Sequence, residues 1–415
     1  MSACQEKAPT AGAESIAFVP ADDFDTVQAQ HRRLPDDDIW WNVAGPDMAW
    51  NHRNLHQLFP TVNVYRNGPV RTLERAPLAA IADYPVETEA GTLTFDEFIA
   101  SDHSTVLGIV ILKDGRIVYE RYPRMQHYEM PVTWSVAKVF VGAVVRILEE
   151  RGEIDVSRPI EAYLPELAES SLAGTTIRNF LDMASGLDCG DEYVDRDSCY
   201  YRYSMALGDG FRTADAPDNP YDFAADAEIA RIAEQGTVFS YSGFNTFVLA
   251  WLVERVTGAP FQDALTGEIW YHMGAESNAS YVAYRYGIPV THGAFVARMR
   301  DMARFGLLYT PSWRLVSDRQ IISDAHIDFL YNAGRPELLA NAGDVPPGVR
   351  HNIYQWGQVM ENGDIFMGGW GGQGLLVNPQ RDVVAVFTGF FRDDARSEIA
   401  TEPLVRAMLD DVFGN

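Results

Sequence analysis

The chain has 415 residues, 47% of them apolar, and a formal net charge of −25, the profile of a folded, acidic globular protein with a sizeable core. That charge repels phosphate backbones and anionic membrane surfaces, and no basic cluster offsets it, so nucleic-acid binding is excluded. No apolar run reaches the roughly 18 residues of a membrane span, and the three cysteines, Cys4, Cys189 and Cys199, form no paired zinc motif, so neither a metal nor another cofactor is implied.

Residues 1–30 are small and polar and read as a disordered leader. Its opening, Met1-Ser2-Ala3-Cys4, is similar to the cleavage end of a bacterial lipoprotein signal. A chance cysteine reads nearly as well, so the compartment stays open: periplasmic or lipid-anchored in the first case, cytoplasmic in the second. The stretch from Ile39 to Glu74 shows no clean period despite Trp40, Trp41, Trp50, Leu58 and Phe59, and is expected to wrap over a core as irregular structure.

Thr105 to Leu112 and Ile117 to Tyr122 are β-branched runs around Asp114-Gly115, which predicts an antiparallel hairpin. From Ser135 to Glu150, Val136, Val139, Phe140, Ala143, Val144, Ile147 and Leu148 recur at helical spacing up to Gly152, which predicts a helix with Ser135 at its N-terminus. Helical segments then dominate, at Thr176–Ala184, Ala225–Glu234 and Thr246–Val256, with polar Asp- and Tyr-rich loops between them. Strands return at Asp364–Met367, Leu375–Val377 and Val383–Gly389, and Glu398–Phe413 closes the chain as an amphipathic helix. Strands at both ends and helices between imply an α/β (α+β) protein, with one antiparallel sheet flanked by helices and a mostly helical lobe inserted. The expected division is 31–160 with 285–415 for the sheet-containing part and 161–284 for the helical part. Cys189 and Cys199 either bridge a short loop or stay free, and free thiols are the favoured state.

Lysine is nearly absent, with Lys7, Lys113 and Lys138 against thirty arginines. Lys138 nevertheless sits in the apolar run Thr133-Trp134-Ser135-Val136-Ala137-Lys138-Val139-Phe140. Arginine supplies a fixed surface charge equally well, whereas lysine alone trades a proton near neutrality when buried. Ser135, three residues earlier, lies on the same helical face, where an amine can hydrogen-bond and activate a hydroxyl. The helix N-terminus there also favours an ionising hydroxyl and the oxyanion formed beside it. Tyr241, in Phe239-Ser240-Tyr241-Ser242-Gly243-Phe244-Asn245, stands just ahead of another helix start and can project its phenol into a cleft. An ammonium nearby is expected to lower its pKa.

Ser-x-x-Lys at a buried helix start, a later Tyr-Ser pair and a glycine-rich strand near the C-terminus resemble the serine β-lactamase and DD-peptidase superfamily. The likeness is to its class C-like branch, which also holds family VIII carboxylesterases and 6-aminohexanoate-dimer (nylon oligomer) hydrolases. Leu58-Phe59-Pro60-Thr61, Arg178 to Leu187 and Arg300 to Gly306 are similar to segments of the last group. The resemblance implies a β-lactamase/transpeptidase-like fold, with Ser135 as nucleophile, Lys138 as the amine taking or stabilising its proton, and Tyr241 as general base and then acid. Two departures disfavour penicillin-like substrates: Gly243 stands where Asn follows the tyrosine in β-lactamases, and the late strand lacks Lys-Thr-Gly. A small ester or amide is the expected partner, through an acyl-enzyme, with a homodimer among the assemblies left open.

Gly369-Trp370-Gly371-Gly372-Gln373-Gly374 matches G-x-G-x-x-G but leads into a strand, so a dinucleotide site is rejected. Two registers remain for the third motif, one presenting the amide of Gln373 and the other that of Trp370. The spacing to Pro379 in esterase-like relatives favours Trp370, whose N–H would join that of Ser135 in an oxyanion hole. Substrate selection is assigned to Trp134, Trp370 and the loop from Asp191-Glu192-Tyr193 to Tyr200-Tyr201, with Gly243 and Gly369 lining the approach. His292 is either a pocket residue, as its position in the nylon-hydrolase relatives implies, or a loop histidine without a role. No G-x-S-x-G elbow or metal-protease spacing occurs, and His52 and His56 read as surface or packing residues.

Overall fold

A computed structural model describes residues 43–340, 342–343, 345–393 and 395–414. The expected leader, Cys4, Trp40 and Trp41 lie outside the described residues. In chain order the elements are α1 (Gly45–Leu58), β1 (Thr61–Val64), α2 (Ala79–Ala82), β2 (Pro85–Thr88), β3 (Gly91–Thr94), α3 (Phe95–Ala100), β4 (Val106–Lys113) and β5 (Arg116–Arg121). A 3-10 turn (Trp134–Ala137) leads into α4 (Lys138–Glu150), followed by α5 (Ile177–Leu181), α6 (Cys199–Leu207), α7 (Pro220–Asp226), α8 (Gly243–Thr257) and α9 (Phe261–Glu268). Then come β6 (Ala279–Val282), β7 (Phe295–Val296), α10 (Met299–Leu307), α11 (Asp324–Asn332), β8 (Val349–Ile353), β9 (Trp356–Met360), β10 (Ile365–Gly369), β11 (Gln373–Asn378), β12 (Val383–Gly389) and α12 (Thr401–Phe413).

Seven strands form one antiparallel sheet in the order β5-β4-β12-β11-β10-β9-β8, so strands from both ends of the chain meet at the β4–β12 pair. Val106 to Leu112 is almost continuously apolar because both faces of β4 are covered. Ile109 and Ile111 pack with Phe95, Phe98, Val405, Met408 and Leu409 on one side. Val110 and Leu112 pack with Val139, Phe140 and Phe305 on the other. The hairpin turns where Asp114-Gly115 predicted, with φ of 52° and 71°.

Three expectations change. Residues 45–58, expected to be irregular, are a helix whose buried stripe is Met48, Asn51, His52 and Leu55. Its spacing is helical but half of it is polar, which hid the period. The helix expected over 225–234 instead runs Pro220–Asp226, started by Asn219 as N-cap and Pro220. Beyond it the chain is held against residues 184–188 by Ile232 N–H to Gly186 O and Asp188 N–H to Ala230 O. Tertiary pairing there overrides helical propensity. Cys189 and Cys199, favoured as free thiols, form a disulfide. The small sheet β1-β6-β7, which no sequence pattern announced, joins residues 61–64 to 279–296.

Helix α4 crosses the β8–β9 turn at a glycine. A Cβ on Gly142 would lie 2.1 Å from the carbonyl oxygen of Tyr354. That turn is fixed by Gln355 N–H to Leu181 O at 3.0 Å and by Tyr354 O–H to Glu149 at 2.9 Å. Helix propensity alone makes Gly142→Ala stabilising by about 1 kcal/mol. The clash reverses the sign: we expect a destabilisation of about 1–3 kcal/mol, read as a lowered urea midpoint at unchanged slope.

Candidate active site

The apolar stripe of α4 buries Val139, Phe140, Ala143 and Val144 and carries Lys138 down with them to zero exposure. Ser135 lies in the preceding 3-10 turn, not in the α-helix expected from its position, and stays partly accessible. Lys138 Nζ donates to Ser135 Oγ at 3.3 Å and to the carbonyl oxygen of His292 at 2.8 Å. It also lies 4.6 Å from the ring centroid of Tyr241. Lys138 and Ser135 both act on the Tyr241 phenol as polar neighbours that lower its pKa. Three residues from two separate segments thus converge on one point.

Tyr241 is held there by its neighbours on both sides. Ser242 caps α8, accepting from Asn245 N–H, and donates to the Cys189 carbonyl at 2.6 Å. Asp191 N–H donates to Tyr241 O at 3.3 Å, while Gly243 N–H donates to Asp191 Oδ1 at 2.5 Å. The disulfide to Cys199 closes the same loop. The phenol pKa is raised, against the expectation that it falls: burial dominates, Lys138 opposes it, and the Asp191 charge adds to the rise. Tyr241 therefore rests as a phenol.

Asp191 was expected to face substrate. Its second oxygen accepts from Tyr193 O–H at 2.9 Å, so both oxygens serve the loop and the start of α8. Burial pushes this carboxyl up, opposed by Lys138, the Gly243 N–H and Tyr193. His292 binds Lys138 through its carbonyl, and its ring lies between the hydroxyls of Tyr200 (3.1 Å to Nε2) and Tyr203 (3.2 Å to Nδ1). Burial, then the Lys138 charge, hold this imidazole well below its usual pKa, so it is neutral at pH 7. Gly243 leaves no room for a side chain, since a Cβ there would be 2.7 Å from the His292 ring.

Strand β10 runs alongside the serine turn, where a Cβ on Gly369 would be 2.6 Å from Thr133 O. The strand ends at Gly369, and Trp370 opens the turn to β11. Gln373 lies on β11 with its side-chain amide spent on Thr388, Trp370 O and Gly389 O. The Trp370 ring meets Tyr193 edge-on at 5.8 Å and Phe391 at 5.2 Å, with the Arg396 guanidinium 4.7 Å from its centroid. Trp134, expected against substrate, is 7% exposed and gives its indole N–H to His52. Sequence reading passed over Tyr203 and took His52 for a surface or packing residue, because their partners His292 and Trp134 lie far away along the chain. A separate cavity of about 690 Å³, lined by Asp188, Cys199, Arg202, Asp222, Phe223 and Glu228 among others, includes none of Ser135, Lys138 or Tyr241. Among the described residues no cluster of three or more His, Cys, Asp or Glu is arranged to hold a metal, and no helix is long and apolar enough to cross a membrane.

The beta-lactamase family profile matches residues 93–396. The 6-aminohexanoate-dimer hydrolase of Paenarthrobacter ureafaciens is 28% identical over 357 residues, covering 83% of this chain and 86% of that protein. The solved structure of a provisionally named 6-aminohexanoate-dimer hydrolase from Bacillus anthracis superposes with a TM-score of 0.75 at 24% identity, covering 88% of this chain and 94% of that one.

 The octameric penicillin-binding protein homologue from Pyrococcus abyssi superposes with a TM-score of 0.57 at 17% identity, covering 75% of this chain and 74% of that one. The match to the family profile spans most of the chain, and the chain belongs to the beta-lactamase family.

Proposed function

We propose that the protein is a serine hydrolase that cleaves ester or small amide bonds through an acyl-enzyme. The observation that carries this reading is a fully buried lysine amine 3.3 Å from Ser135 Oγ and 4.6 Å from the centroid of the Tyr241 ring. Ser135 Oγ attacks the carbonyl carbon while Lys138 Nζ takes the hydroxyl proton. The oxyanion accepts from the N–H groups of Ser135 and Trp370, a feature worth about 3–4 kcal/mol of barrier. Tyr241, resting as a phenol, protonates the leaving group and regains its proton from Lys138. Water then attacks the acyl-enzyme, its proton passing to the Tyr241–Lys138 pair and on to Ser135 Oγ.

The relationship to a 6-aminohexanoate-dimer hydrolase supports small amides as substrates alongside esters. Treatment with a fluorophosphonate, followed by intact mass and peptide mapping, tests the nucleophile: one adduct on Ser135 is expected, and an unlabelled Ser135 in folded protein overturns the reading. Penicillin recognition is disfavoured by the filled space at Gly243. Gly243→Asn is expected to cost about 1–3 kcal/mol of stability by overpacking and to bring no gain in hydrolysis of a chromogenic cephalosporin.

A further inference from the structure

His52 is 2% exposed and lies on α1, far from Ser135 in sequence. Its Nδ1 is 2.8 Å from the carbonyl oxygen of Gly389, and its Nε2 is 2.9 Å from the indole nitrogen of Trp134. A carbonyl only accepts and an indole N–H only donates, so both bonds are satisfied by one tautomer, with the proton on Nδ1 and the lone pair on Nε2. Burial lowers this imidazole to about pKa 4, which keeps it neutral at pH 7. Its Cε1 would be 2.4 Å from a Cβ on Gly371, and its own carbonyl accepts from Val132 N–H at 2.8 Å.

One residue therefore contacts both segments that flank the proposed oxyanion site, through the Trp134 indole and beside Gly371. Trp134, immediately before Ser135, has φ of +45°, a costly conformation for a bulky residue that persists only when its surroundings impose it. Gly371 immediately follows Trp370. We propose that His52 is a positioning residue, which fixes the Ser135 turn relative to the β10–β11 turn by holding the Trp134 indole and packing against Gly371. This rests on the reading of Ser135 as nucleophile and Trp370 as oxyanion donor.

The test compares His52→Leu, His52→Gln and Trp134→Phe with wild type, using short-chain p-nitrophenyl esters, the rate of fluorophosphonate labelling, and thermal unfolding as a control. A misplacement on the order of 1 Å lowers rates about 100-fold. His52→Leu is expected to lower kcat by about 10- to 100-fold with KM little changed. His52→Gln, whose amide oxygen can still accept from the indole, should recover most of that loss. Trp134→Phe should reproduce the loss, and combining it with His52→Leu should add little, because both remove the same bond. Wild-type labelling by folded His52→Leu, equal losses in the Gln and Leu variants, or additive losses in the double variant would each overturn the proposal. Should His52→Leu not fold, the Gln and Trp134→Phe comparisons decide it. Absence of label on wild-type Ser135 defeats the underlying reading as well, whereas normal Ser135 labelling with unaffected variants defeats only the role of His52.

Discussion

Ser135→Ala is expected to lower kcat for ester hydrolysis by roughly four to six orders of magnitude, because it removes the covalent route and not one contribution to it. The variant loses only the Oγ that accepts from Lys138 at 3.3 Å, while Lys138 keeps the His292 carbonyl at 2.8 Å. Stability should therefore change by about 1 kcal/mol or less. Steady-state turnover of p-nitrophenyl butyrate, with unfolding measured on the same preparation, separates the two effects. A variant retaining more than about one per cent of wild-type kcat would end the assignment of Ser135 as nucleophile.

Lys138→Arg should cost about 10³- to 10⁴-fold in kcat although it keeps a positive charge. Guanidinium does not release a proton at neutral pH, so it cannot cycle between accepting from Ser135 and returning to Tyr241. Lys138→Met removes the nitrogen altogether, and leaves the buried His292 carbonyl without its donor, at about 1–3 kcal/mol of stability. Residues acting as one unit are not additive, so Ser135→Ala combined with Lys138→Arg should be no slower than Ser135→Ala alone. Additive losses, or an arginine variant with near-wild-type turnover, would show that Lys138 serves packing only.

Much of the framework was legible because its signals are local. The hairpin at Asp114-Gly115 and the strands β10 to β12 follow from turn chemistry and continuous apolar runs. Helix α1 was missed because Asn51 and His52 occupy half of its buried stripe. The segment after Asp226 was misread because its backbone pairs with residues 184–188, which no local window contains. The same holds for the Cys189–Cys199 bridge, since composition gives odds on pairing but no geometry.

What the sequence by itself determined is the pairing of Ser135 with Lys138, three residues apart on one helical turn, and the apolar stripe that carries the amine inward. Only the tertiary structure decided that Tyr241 joins them, that its phenol pKa rises, that His292 fills the space beside Gly243, and that His52 braces Trp134. The reason is range: helical spacing is a property of neighbouring residues, whereas burial and electrostatics sum over groups that the chain brings together only on folding.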